Sequence, residues 1–409
     1  MPNFSIALTG LQADTVALNT IGNNLANLNT TAFKSQTTTF SDLFYQHIGA
    51  SGSGDPLQVG VGTRVSGTST QFSQGSLATT QSSTDMALSG AGFFLVQRGN
   101  AEALTRAGNF QMDATGNLTT TGGENVMGYG VTNGAVNLNG GLIPLKLPVT
   151  LNQPAQSTQN ISLTTTLDSS ATTGTKFSSP VTLYDSLGVG QPGTVSYTKT
   201  GPATWTYAIT VPGTAATGTP ANNTGTLTFD STGKLVTPTA NVAGVTFPGL
   251  ADGAKDLSFS FNLYDTSGAP LVSTTAGASN TTATTQDGFA AGNYQSFSVG
   301  ADGVVSATFS NGQKSMIGQV AVGMVVNQAG LTRAGGNDYV TSDVSGPISV
   351  GVANVGGRGA IDGDTLEQSN VDISAEFSDL IVAQRAFEAN SKTVTTFDSV
   401  TQEAIGMIR

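Results

Sequence analysis

Large apolar residues recur every seven positions at both ends of this chain. Near the start, Phe4, Leu11, Leu18 and Leu25 share one phase, and Ala7, Ile21 and Leu28 hold a second, with Asp14 the exception. Near the end, Ile373, Leu380, Phe387, Val394 and Ile408 share a phase that Thr401 interrupts. Phe377 and Ile405 sit in a companion position that Gln384, Ser391 and Asp398 break. This spacing predicts amphipathic helices with a coiled-coil-like seam. Asp372 or Ser374 can cap the second helix, and Glu376 supplies an acid for its first turn. A lone helix of this kind is marginal in water and depends on packing its seam. The stretch GNNLANLNTTAFK, residues 22–34, complicates the first helix, because asparagine favours caps and turns. We expect Asn23, Asn24, Asn27 and Asn29 to fall off the seam. Thr30 and Thr31 then end the helix, and Phe33 anchors the chain where it leaves.

Between the ends the pattern changes to short runs of β-branched and aromatic residues separated by glycine-rich turns. Asp stands at a turn's first position and Gly at its fourth in the pairs Asp113/Gly116, Asp185/Gly188, Asp230/Gly233 and Asp265/Gly268. This is type I turn chemistry. LYDSLG at 183–188 and LYDTSG at 263–268 echo each other and read as two similar hairpins. The middle is therefore mostly antiparallel β, of sandwich or barrel kind. Residues 151–286 are richer in Thr, Ser, Ala and Gly, with loop text such as 213–225, and read as a domain inserted into another. The expected fold is mainly β with α-helical termini, a nested discontinuous multidomain subunit. It has a terminal helical coiled-coil domain (1–34 and 370–409) and a linker region (35–71 and 363–369). A discontinuous β domain (72–150 and 287–362) then carries an inserted sandwich- or barrel-like β domain (151–286).

Composition narrows the chemistry. Of 409 residues 38% are hydrophobic and only 10% charged, with net charge −11. No basic stripe meets phosphates, so nucleic acid is not an expected partner. No apolar run approaches the roughly 18 residues of a membrane span, and the start MPNFSIALTG lacks a signal peptide's basic and apolar regions. With no cysteine and a single His47, disulfides, thiol nucleophiles and multi-imidazole metal sites are excluded within one subunit. GVGQPG at 188–193 matches a dinucleotide spacing but holds Pro192 and leads into no helix pattern, so it reads as a turn. Asp362, Asp364 and Glu367 in DGDTLE lack a calcium loop's spacing and read as solvated loop acids. GASGSG at 49–54 is a near neighbour of a nucleophile elbow without the strand it needs. No catalytic, cofactor-binding or metal residues are expected, and the chain does not read as an enzyme.

Both ends go beyond a generic pattern. FSIALTGLQA at 4–13 with IGNNLANLNTTAFKS at 21–35 resembles the N-terminal signature of bacterial flagellar rod and hook proteins. The segment 369–400, SNVDISAEFSDLIVAQRAFEANSKTVTTFDSV, resembles their C-terminal signature. DMALSGAGFFLV at 85–96 and the run 104–130 look like the first strands of that family's β domain. VTLYDSLG at 181–188 and the text of 297–323 are similar to its hook branch, with the shorter distal rod branch as the alternative.

The resemblance implies a homopolymer, a flexible curved tube acting as a universal joint that transmits motor torque to the filament. It implies export through the flagellar type III apparatus without a cleaved signal peptide, to an extracellular hook. The implied partners are the rod, the hook cap and the hook–filament junction proteins. Phe4, Leu11, Leu18, Ile21, Leu25 and Leu28 should then face Ile373, Phe377, Leu380, Phe387 and Val394 in an inner tube. With Phe33 and Ile405 these form the expected subunit interface, and β layers lie outside. The chain departs from the family in having Ala32 where a glycine is usual, and no Arg shortly after Lys34. A reading from another class is a secreted β-rich carbohydrate-active enzyme or adhesin, with Trp205 offering a sugar contact. Against it, no paired carboxylates stand in a cleft pattern.

Overall fold

The seven-residue spacing at each end becomes one long helix. In a computed structural model, which describes residues 3–50, 56–147, 152–212 and 216–407, α1 spans Asn3–Ala26 and α2 spans Ile373–Gly406. Asp372 caps α2, its carboxylate accepting from the N–H groups of Ser374 and Ala375 at 2.8 and 3.2 Å. That satisfies two of the donors a helix start leaves open. α1 stops at Ala26, so Leu28 lies in the turn beyond it, where the Asn27 side chain donates to the carbonyl of Asn23 at 2.9 Å. Among the described residues between the helices, all but a 3-10 turn at Gln328–Gly330 is strand, turn or irregular chain, so the chain is mainly β with helical ends.

Packing divides the chain into two units, Met1–Val149 with Phe297–Ala307 and Ser315–Arg409, and Thr150–Ser296 with Thr308–Lys314. In the first unit, strand Gln36–Asp42 pairs antiparallel with Thr63–Thr70 in a two-stranded ribbon beside α1. The main sheet of this unit runs through Lys314–Met324, Asn125–Thr132, Phe93–Arg98, Ala101–Thr105, Asp338–Val340 and Thr332–Gly335. Its core holds Phe93, Leu95, Leu104 and Tyr339. The rings of Phe72, Phe93 and Tyr339 meet at 5.2–5.9 Å between centroids.

The second unit is two five-stranded sheets around one core. One is a meander of Lys176–Tyr184, Gly190–Gly201, Thr204–Thr210, Thr224–Phe229 and Leu235–Thr237. In the other, Asn160–Asp168 is central. Leu257–Asn262 and Val272–Thr275 both run parallel to it, and Asn280–Gln286 runs antiparallel. Buried residues alternate along these strands, as a half-buried sheet requires. Trp205, at 1% exposure, sits at the centre of the core. It is therefore not available to a sugar.

All four Asp/Gly turns form. The fourth-position glycine donates to the aspartate carbonyl at 3.0–3.1 Å with φ between +83° and +88°. Each carboxylate accepts from the N–H groups two and four residues on, at 2.8–3.0 Å. The echo of LYDSLG is less complete than expected. The first copy closes a full hairpin, Lys176–Tyr184 against Gly190–Gly201. The second closes only Tyr264 against Pro270, after which the chain resumes its course along Asn160–Asp168. Turn chemistry is local and identical in both, whereas pairing is decided by the flanking strands.

Candidate functional site

α1 and α2 lie antiparallel. Asn24 near the end of α1 donates to Glu376 near the start of α2 at 2.8 Å, and Asp14 accepts from Asn390 at 2.8 Å. The helices close on small residues. Ala7, Ala13 and Ala383 are buried, and a Cβ on Gly10 would stand 2.7 Å from the Asn390 amide nitrogen. The inward positions of α2 include Glu376, Ala383, Asn390 and Phe397, again seven apart. They run one residue ahead of the companion series through Phe377 and Ile405.

Large side chains therefore flank the contact. Leu11, Leu18, Ile21, Leu25, Leu380 and Val394 are half-buried. Leu28 is half-buried in the turn. Ile373, Phe377, Phe387 and Ile405 are exposed, Phe377 at 51% and Ile405 at 62%. Phe4 lies in α1, but its side chain, like that of His47, is outside the described residues, and so is Ile408. The exposed set extends to Ile6, Leu8 and Val16 on α1 and to Ile381, Val382 and Val400 on α2, with Val382 at 67%. These exposed apolar residues are spread along a helix about 50 Å long.

Where α1 ends, a buried polar junction joins both helices to the β body. Asn24 is 1% exposed, so it does not fall off the seam. Its carbonyl accepts from Gln36 N–H at 2.9 Å while its amide donates to Gln36 carbonyl at 2.8 Å and to Glu376. A polar residue is needed there because it holds a strand's backbone against a helix. Ala32 takes φ +55° at 1% exposure, a left-handed conformation of the kind glycine serves. Phe33 is buried beneath the Arg333 guanidinium, 5.0 Å from ring centre, and Arg333 also donates to the Lys34 carbonyl. Phe33 thus anchors the exit within its own subunit.

Glu367 overturns its reading as a solvated acid. It is fully buried, and one carboxylate oxygen accepts from Lys34 Nζ at 2.6 Å and from Gly75 N–H at 2.8 Å. The other faces Arg106 Nη1 at 3.4 Å. Lys34 Nζ also donates to the Ser73 carbonyl at 2.8 Å, and Arg106 to the carbonyls of Leu88 and Gly90 at 3.3 and 2.6 Å. Burial pushes both cations' pKa values down, and the Glu367 charge opposes it. Burial is tolerated because both cations share the Glu367 carboxylate and direct other donors at backbone carbonyls, although Arg106 Nε is left without a partner. Asn370 completes the junction, accepting from Ser35 N–H at 2.7 Å and donating to Gln71 and Ser73 carbonyls at 2.8 and 3.1 Å. Sequence reasoning missed Glu367 and Arg106. The available signal was a lysine directly after a buried-type aromatic in a chain with few charges.

The site consists of an exposed apolar stripe and a buried polar junction. Among the described residues no three His, Cys, Asp or Glu are placed to hold a metal ion, and no helix is long and apolar enough to cross a membrane. Comparison with known proteins supplies the context. Residues 4–34 match the family described as flagella basal body rod protein, and 364–407 the flagellar basal body rod FlgEFG protein C-terminal. Residues 87–170 match the flagellar hook protein FlgE/F/G D1 domain, and 164–289 the flagellar basal body protein FlaE D2 domain. The chain is 31% identical to the flagellar hook protein FlgE of Treponema pallidum, covering 98% of both chains. It is 32% identical to that of Escherichia coli, over 99% of both. The crystal structure of Helicobacter pylori FlgE2 aligns with a TM-score of 0.54 at 16% identity, covering 71% of this chain and all of that one, which supports the fold. With helical ends, a β body and near-complete coverage at this identity, the chain belongs to the flagellar hook protein family.

Proposed function

We propose that this protein is the structural subunit of a bacterial flagellar hook, polymerising through α1 and α2 into a flexible tube that carries torque to the filament. The observation that carries the reading is the outward apolar stripe of Phe377, Ile381, Val382 and Ile405, which the helix pair leaves uncovered. Its cover is the same stripe, or its flank, on neighbouring copies. The polymer would meet rod, hook cap and hook–filament junction proteins at its ends, and reach an extracellular position through the flagellar type III apparatus. Residues 1–34 with 370–409 would act as the assembly domain and 151–286 as an insert that tunes curvature.

The test is expression in a motile bacterium deleted for its own hook protein. The wild-type chain should restore hooks and swimming. Phe377→Asp with Val382→Asp should not, because each carboxylate would have to be desolvated in the tube. Intact hooks built from the double variant would overturn the role given to the stripe.

A further inference from the structure

The Lys34–Arg106–Glu367 cluster has an asymmetry that the assembled fold conceals. Two cations share one counter-charge, all three buried, and among the described residues Glu367 is the only acid paired with either cation. Lys34 comes from the exit of α1 and Arg106 from the loop after Ala101–Thr105, while Glu367 lies 333 residues beyond Lys34 in sequence. Without Glu367, seating the exit segment would bring a lysine and an arginine into one dry site with no acid. The low dielectric that strengthens the pair would then strengthen the repulsion.

We propose that Lys34 and Arg106 form a charge gate, which keeps the segment after α1 off the β body until the C-terminal segment delivers Glu367. Docking of the two ends is thereby coupled. Strand Thr365–Glu367 pairs with Leu77–Thr79, and the backbone carbonyl of Glu367 accepts from Ala32 N–H at 2.8 Å. The residue that neutralises the gate is therefore also the one that the exit segment docks against. A neutral chain of hydrogen bonds could hold the same geometry but could not refuse an early, half-complete docking. The gate is a property of the single subunit and stands whether or not the helical stripe polymerises.

The experiment is hydrogen exchange by mass spectrometry on the full-length monomer at neutral pH. Glu367→Gln keeps the shape and an acceptor for Gly75 N–H while removing the counter-charge. Amides of Ala32 to Gln36 should lose at least about 100-fold in protection, the scale of a broken buried pair, while Phe93–Arg98 stays protected. Lys34→Met added to Glu367→Gln removes the repulsion, since Arg106 keeps its carbonyl acceptors at Leu88 and Gly90. Most of the lost protection should return. Three results would each overturn the gate: wild-type protection in Glu367→Gln, loss that spreads equally to Phe93–Arg98, or a double variant no better than the single.

Discussion

Ala32→Val is the sharpest local test of the junction. Ala32 sits at φ +55° with 1% exposure, its N–H bonded to the Glu367 carbonyl. The left-handed region already costs an L-residue about 1–2 kcal/mol, and a β-branched side chain is rarer still there. Two further buried carbons in a closed site add overpacking of about 1–3 kcal/mol. Alanine already bears the left-handed cost, so the increment over alanine is the overpacking and the extra β-branched strain, about 1–3 kcal/mol, or roughly 5- to 150-fold in local opening. Ala32→Gly isolates the backbone part. It relieves about 1–2 kcal/mol of strain but gives up a buried methyl worth about 0.8 and adds about 0.4–1 of unfolded-state freedom. The net should lie within about 1 kcal/mol of zero, although the resemblance makes glycine the usual residue at this position. Hydrogen exchange of a peptide spanning Thr30–Gln36 reads both variants. Wild-type protection in Ala32→Val, or an equal loss in both, would refute the left-handed assignment.

The remaining predictions concern the helix pair and one titrating acid. Gly10→Leu should drive Asn390 from Asp14 and strip protection from α1, whereas Gly22→Ala, with nothing within 4 Å, should be tolerated and stabilise α1 by up to about 1 kcal/mol. Equal behaviour of the two, by hydrogen exchange, would contradict the small-residue contact. Asp338 is pushed up to about 6, first by burial and then by the Glu124 charge, with the Thr105 hydroxyl and Arg98 opposing. An acid raised on folding favours its protonated form, so its stabilising contribution is full below about pH 4 and is lost as pH rises to about 6. Asp338→Asn should therefore raise the urea midpoint at pH 7.5, with the advantage gone by pH 4. An advantage that grows toward acid would reverse the sign and reject the assignment.

Much of this fold was legible because it is written locally. Seven-residue spacing marked both helices, Asp372 marked a cap, and the Asp/Gly pairs marked four turns whose bonds lie within five residues. What escaped depends on residues distant in sequence. Large apolar side chains were expected to form the seam between α1 and α2, but helices this close need Gly10, Ala7 and Ala383 at the contact, so Leu11, Leu18, Ile21, Leu25, Leu380 and Val394 flank it half-buried while Ile373, Phe377, Phe387 and Ile405 are exposed. Asn24 looked like a weakness in a helix and is instead a buried clasp on Gln36. Glu367 looked like a surface acid because its partners, Lys34 and Arg106, lie 333 and 261 residues away. The parallel course of Leu257–Asn262 and Val272–Thr275 along Asn160–Asp168 escaped for the same reason.

In the proposed polymer, the outward stripe of α1 and α2 is where one subunit meets the next. An electron cryomicroscopy map of the assembled polymer tests it most directly. Phe377, Ile381, Val382 and Ile405 should be buried against helices of neighbouring copies, with the Asn24–Glu376 and Asp14–Asn390 bonds intact within each subunit. A tube held together by β-domain contacts alone, with those four side chains facing water, would contradict it.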